Sequence, residues 1–407
     1  MTDTFVAVTM SEPLADDRPD QATRHQTGSG STRGWCPGVL DPMDTGDGWL
    51  LRIRIPGGLV TPRQLGAVAT IAAHYGSGMV DITSRGNLQI RGVAAGAIDP
   101  AAQAVVHAGL SRADARSDAF RAVVCSPLTG HDPAALCDTQ PLVTALVDRL
   151  ATSITGTLPS KFGVVLDDGG TWPLDAIDAD INLRADVAGR WTVRVRGAIQ
   201  PIGWTDNPAD TVLAATQLCV DNGLRMDGVI ATIGRAIVAD RLAIAPGSGL
   251  PEPSAAAQTA QDRIIGRLPH PDAGRSNIIA APFLGRVTTD VLGALADLAG
   301  SHAEAVRLTP DHSMAFCGVD ESAAAMLLAN LDNLDLVIDP HDPRSALSAC
   351  VGSLGCARAH ADTWAFATQM AATITRPSRV HLSACAKGCG APSGVSQLVA
   401  DESGMFR

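Results

Sequence analysis

The stretch GWLLRIRIPGG, residues 48 to 58, alternates apolar and polar positions with a period of two, the pattern of a half-buried strand. TPRQLGAVATIAAHYG follows and changes period: apolar residues recur at helical spacing, Thr61 stands as N-cap, Pro62 in the first turn and Gly76 as the stop. MVDITSRGNLQIRGV then returns to alternation, giving two short strands around a turn at Arg85-Gly86-Asn87. The order is β-α-β-β.

The same unit comes back in the second half of the chain. VTTDVLGALADLAGSHAEAVRLTPDHSMAFCGV, residues 287 to 319, aligns with residues 60 to 93 after one deletion in the helix-to-strand turn. LGALA falls under LGAVA, and Cys317-Gly318-Val319 under Arg91-Gly92-Val93. A fainter echo follows each unit: CSPLTG at Cys125 against CVGSLGC at Cys350, and LPSKFGVVLDDGG against RPSRVHLSACAKG. A repeat this long is a domain duplication, so the expected fold is α+β, with two β-α-β-β units each followed by a larger α/β segment about a pseudo-twofold axis. Expected divisions are a disordered segment over 1–33, a first unit over 34–100, an α/β domain over 101–270, a second unit over 271–340 and a final domain over 341–407. The copies differ in chemistry: the first has Arg85 and Arg91 where the second has Asp311 and Cys317, and the second has cysteines where the first has Asp167 and its neighbours.

Composition adds limits. At 407 residues, 46% hydrophobic and 18% charged, the chain can bury a large core. A net charge of -11 argues against binding nucleic acid or an anionic membrane, which need a positive face. An anionic small molecule would need a local basic pocket. No apolar run reaches the roughly 18 residues that span a bilayer, and the start lacks a basic region followed by an apolar one, so the expected location is the cytoplasm. Nine cysteines without a secretory signal read as thiols and metal ligands rather than a disulfide framework.

Four of those cysteines fall in the last fifth of the chain. Cys350 and Cys356 form C-x5-C, Cys385 and Cys389 form C-x3-C, and Gly, Ala and Ser surround both pairs. Four thiolates satisfy a [4Fe-4S] cluster, and small neighbours let backbone N–H groups reach the sulfurs. Structural zinc and unligated buried thiols are the alternatives, the five-residue gap fitting zinc less well. Cys36, Cys125, Cys137, Cys219 and Cys317 lack such spacing and read as small core residues.

The C-x5-C and C-x3-C pairs after a duplicated β-α-β-β unit, together with IPGGLVTPRQL, TSRGNLQIRG and LPSKF, resemble the nitrite/sulfite reductase family over residues 35 to about 395. The resemblance implies ferredoxin-like half domains and a [4Fe-4S] cluster on Cys350, Cys356, Cys385 and Cys389. It puts Arg85, Arg121 and Lys161 in catalytic positions facing a tetrapyrrole, and Arg85, Arg91, Arg121 and Lys161 in its binding. One departure stands out. Reductases of this family carry a second lysine two residues after the one matching Lys161, where it helps protonate the bound oxyanion; here that place is Gly163.

The pattern is nearer to members that oxidise a tetrapyrrole as substrate. These use dioxygen and an electron-donating reductase to hydroxylate precorrin-3A at C20 and close a lactone in aerobic cobalamin synthesis, with a [4Fe-4S] cluster and a mononuclear non-haem iron. The alternatives are a sirohaem-dependent nitrite or sulfite reductase and a non-catalytic iron-sulfur electron carrier. Arg52 and Arg54, Gln89 and Arg91, and Arg194 and Arg196 sit two apart on strand-like alternations, so each pair shares a face and could help line a basic pocket. A non-haem iron wants two histidines and a carboxylate; His360 and His381, which flank cluster cysteines, are the candidates.

Overall fold

The computed structural model describes residues 36–198, 200–246, 263–374, 379–392 and 394–407. The expected disordered segment lies outside them.

The first β-α-β-β unit forms as its pattern dictates. Thr61 caps helix Pro62–Tyr75 by accepting from the Gln64 N–H, and the Gln64 side chain accepts from the Thr61 N–H, a reciprocal capping box. The helix buries Leu65, Val68, Ala69, Ile71 and Ala72, and Gly76 ends it. Strands Trp49–Ile53, Leu88–Val93 and Met79–Ile82 lie side by side and antiparallel, turning at Arg85-Gly86-Asn87. The second unit repeats this with strands Arg275–Ala280, Met314–Asp320 and Ala305–Leu308 and helix Thr289–His302.

Each unit lends a strand to the other. Leu59–Val60 pairs with Ala305–Leu308 in the second sheet, and Arg286–Thr288 pairs with Met79–Ile82 in the first. The exchange brings backbones so close that a Cβ on Gly58 or Gly86 would strike the Leu308 carbonyl; both have positive φ, 71° and 63°, which glycine adopts without strain. The two helices face one another, and Leu65, Val68, Leu292, Leu295 and Ala299 join both sheets' inner faces in one hydrophobic core. Helix Ile98–His107 also packs into it through Ala101, Ala102 and Val105.

The α/β segments are duplicates as well. Val123–Cys125, Val164–Asp167 and Ile181–Ala185 run parallel in that order, extended by antiparallel Trp191–Val195 and Gly203–Thr205. The last segment repeats only the parallel triplet: Leu347–Ala349, Val380–Ser383 and Ser396–Val399. The duplicated α+β architecture is therefore present in both parts of each copy. No helix among the described residues is long and apolar enough to cross a membrane.

Candidate active site and thiol cluster

All four expected cluster cysteines lie beyond the C-terminal ends of the last parallel strands, where open parallel sheets place their ligands. Cys350 directly follows Leu347–Ala349, and Cys385 comes two residues after Val380–Ser383. A Cys350 N–H bond of 3.0 Å to the Leu382 carbonyl and an Ala384 N–H bond of 3.2 Å to the Cys350 sulfur tie these ends together. The 3-10 turn Gly352–Leu354 carries the chain to Cys356, and Gly388 and Gly390, both at positive φ, bracket Cys389. None of the nine cysteines is in a disulfide. Burial pushes the Cys389 thiol up, Lys387 opposes this, and the Cys350, Cys385 and Cys356 thiols add to it, so all three lie within electrostatic reach of Cys389.

A tetrahedral zinc with bonds of about 2.3 Å holds thiolates roughly 3.8 Å apart. Among the described residues, the only group of three or more His, Cys, Asp or Glu with ligand atoms all within 4.8 Å lies elsewhere. A cube with iron at alternate corners spreads its four thiolates wider than one ion does. Four thiols with small neighbours, and the Ala384 N–H already donating to the Cys350 sulfur, are a donor set that a [4Fe-4S] group would fit.

Arg91 reaches this site from the first copy. Its side chain is only 6% exposed, its fork makes bonds of 3.1 and 3.2 Å to the Asp47 carboxylate, and Nη2 also donates to the carbonyl of Gly355, the residue before Cys356. A fork so engaged clamps the Cys356 loop; it has little left for a substrate carboxylate. Arg121 is similarly committed. Its Nη2 donates to the Arg54 and Leu110 carbonyls at 3.0 and 3.1 Å, and its Nε lies 3.5 Å from Asp118, which also takes Arg54 at 2.6 Å.

Arg85 and Lys161 are different. Arg85 Nη2 donates to the Asp178 carbonyl at 2.6 Å, with no carboxylate in salt-bridge range among the described residues; burial first, then Arg225, pull its guanidinium below the usual value. The nearby Asp180 carboxylate is held by Arg225 at 2.8 Å. Lys161 is exposed, has no described polar partner, and sits in a left-handed turn at φ 66°, a conformation that costs a non-glycine residue energy and tends to mark functional positions. Arg52, which donates to Gln89 at 3.1 Å, likewise has no described carboxylate partner; burial lowers it most, Cys36 opposes this, and Arg54, Arg85 and Arg91 lower it further. Arg52, Arg85 and Lys161 are thus cations with no described counter-charge of their own.

Gly163 gains a structural reason. A Cβ there would lie 2.8 Å from Arg85 Nη1, so the guanidinium fills the space into which a second lysine would begin. The sequence shows the missing lysine but not what replaced it. Other expectations fail on partners: Arg194 donates to the Asp175 carbonyl at 2.7 Å and Arg196 bonds Asp227 at 2.9 Å and Asp178, so this pair adds no free charge to a pocket. His381 is buried with Nδ1 3.0 Å from the Ser348 hydroxyl and Nε2 3.2 Å from the Cys389 carbonyl, and burial pushes its pKa down to about 4. Both nitrogens are used in packing the strand. His360 is exposed, and among the described residues neither histidine belongs to a group of three or more metal-ligand side chains.

Comparison with known proteins agrees with this architecture. The nitrite/sulfite reductase ferredoxin-like half domain model matches residues 41–108 and 269–334, the two exchanged units. A precorrin-3B synthase of Sinorhizobium sp. is 31% identical over 90% of this chain and 83% of its own, and a ferredoxin–nitrite reductase of Synechococcus elongatus is 28% identical over 84% and 74%. The NirA protein of Mycobacterium tuberculosis superposes with a TM-score of 0.69 over 84% of this chain and 69% of its own at 20% identity, which speaks for the fold. The chain therefore belongs to the nitrite/sulfite reductase family of oxidoreductases, alongside that precorrin-3B synthase.

Proposed function

We propose that the chain is a precorrin-3B synthase: an O2-dependent monooxygenase that hydroxylates precorrin-3A at C20 and closes a lactone from a ring acetate, in aerobic cobalamin biosynthesis. The observation that carries this reading is Arg85 lodged against Gly163. Reduction of sulfite or nitrite needs a proton donor at each departing oxygen, and the guanidinium that occupies this place keeps its protons at neutral pH. The same cation can pair with a carboxylate. A precorrin carries several, and a chain of net charge -11 can hold it only where cations such as Arg52, Arg85 and Lys161 are not already neutralised.

Hydroxylation consumes one O2, two electrons and two protons, puts one oxygen into the substrate and releases the other as water, so the reading requires a reductase as electron donor. Cys350, Cys356, Cys385 and Cys389 would hold a [4Fe-4S] cluster, which supplies single electrons when bound. Arg91 fixes the Cys356 loop, and Arg52, Arg85 and Lys161 orient the substrate carboxylates.

Incubating anaerobically purified protein with precorrin-3A, a reductase and isotope-labelled O2 tests this. The expected product is heavier by one labelled oxygen atom. Unchanged precorrin-3A, with a sirohaem absorption band and nitrite or sulfite turnover, would establish the reductase instead. The likeness to ferredoxin–nitrite reductase makes that the second reading.

A further inference from the structure

We propose that His131, His270 and Glu304 form a site for one first-row divalent metal ion, separate from the four thiols. Their ligand atoms all lie within 4.8 Å of one another. His131 Nδ1 and His270 Nε2 are 3.1 Å apart, about the separation of two adjacent nitrogens each bonded at roughly 2.1 Å to one ion. Two imidazoles and one carboxylate, with the remaining positions open, make a donor set for a transition metal rather than for magnesium or calcium. Both histidines are half-buried and Glu304 is exposed, so an ion can enter from solvent.

The surroundings hold these groups in place. Asn277, wholly buried, donates from Nδ2 to the His131 carbonyl at 2.7 Å and to the carbonyl of Pro269, next to His270, at 2.8 Å, while its Oδ1 accepts from the Gly318 N–H at 3.2 Å. One amide thus pins both histidine-bearing segments. Arg275 pairs with the Glu304 carboxylate and orients it. The duplication supports the assignment: His131 follows Cys125 by the same interval at which Cys356 follows Cys350, so each copy offers a ligand at that point.

Binding has a proton cost. The Asp272 N–H donates to His270 Nδ1 at 3.0 Å, so this ring carries its proton on Nε2, facing His131. An ion at Nε2 displaces that proton to Nδ1, and the Asp272 N–H, on an exposed turn, turns to water. The proposal rests on this geometry and not on the tetrapyrrole reading, so the two can fail separately.

The test is equilibrium dialysis of untagged, cluster-loaded protein against Co(II), with cobalt counted by elemental analysis, since cobalt is foreign to the cluster. Wild type should hold one equivalent that both His131→Ala and His270→Gln release, at least tenfold in affinity, while their cluster absorption and melting temperature stay unchanged. His270→Gln, beside the exposed turn, serves if His131→Ala does not fold. Equal cobalt in wild type and a folded variant, or none in wild type, overturns the proposal.

Discussion

The two α/β segments share a strand order and differ in what holds them. Val123–Cys125, Val164–Asp167 and Ile181–Ala185 stand on a broad apolar core that includes Leu146, Leu150, Leu166, Leu183, Val193 and Val212. Among the described residues, Leu347–Ala349, Val380–Ser383 and Ser396–Val399 have a fully buried core of Leu347, Ala367 and Leu382, with Phe366, Met370, Val380 and Leu398 partly buried against it. A segment with so small a core gains from contacts beyond its own packing, of which the Arg91 bond to the Gly355 carbonyl is one; ligation of its cysteines, as proposed above, would add another. The lesson is a division of labour after duplication: the first copy kept the packing and the cations, the second kept the thiols.

Breaking the thiols should have the largest effect. Cys385→Ser is expected to lose the iron-sulfur absorption and essentially all turnover, and hydrogen exchange should quicken from Leu347 to Val399 while Val123 to Ala185 stays protected. Equal loss of protection in both segments would mean the comparison is wrong. Next comes the clamp. Arg91→Ala leaves the half-buried Asp47 carboxylate with the Thr45 hydroxyl but without its cation, and frees the Gly355 carbonyl, at a cost of about 1–3 kcal/mol; chemical denaturation and the rate of cluster loss should both report it, and Arg91→Lys, which lacks the fork, should recover only part. A variant as stable as wild type would remove Arg91 from this account.

Two smaller effects sharpen the picture. Arg85→Ala should weaken tetrapyrrole binding at least tenfold, about 1.4 kcal/mol or more, with the cluster spectrum intact; Gly163→Lys should do likewise by displacing the guanidinium, and unaltered titration curves for both would count against a substrate role. Smallest is a pH effect in the first segment. Burial pushes Asp167 up to about 6, against opposition from Arg184. The folded state therefore favours the protonated acid, whose stabilisation is complete below the ordinary carboxylate value and lost as pH rises through about 6. Asp167→Asn should abolish that part of the slope, on the order of 1 kcal/mol, in melting curves taken from pH 4 to 7. The same slope in the variant would assign it to another group.

What the sequence revealed follows the range of the interactions. Helix Pro62–Tyr75 and the strands flanking Arg85-Gly86-Asn87 were legible because caps, periodicity and turns act within a few residues. The cysteine spacing is local in the same way, and the structure sets both pairs beyond the ends of adjacent parallel strands. The exchanged strands were not legible: Leu59–Val60 spans two residues, and its partner lies far along the chain. The arginines were visible as cations, but not their partners; Asp47 for Arg91, Asp118 for Arg121 and Asp227 for Arg196 are tertiary facts that decide which charges remain available. His131, His270 and Glu304 escaped notice because their spacing matches no local motif, whereas His381, conspicuous beside the cysteines, serves the strand.

The central claim is that cations of the first copy and thiols of the second make one site. The most direct measurement is the electron paramagnetic resonance spectrum of the reduced cluster with and without precorrin-3A, in wild type and in Arg85→Ala. A shift of the signal in wild type that is absent from the variant at the same precorrin concentration is the predicted result. An unshifted wild-type spectrum with substrate stoichiometrically bound would contradict it.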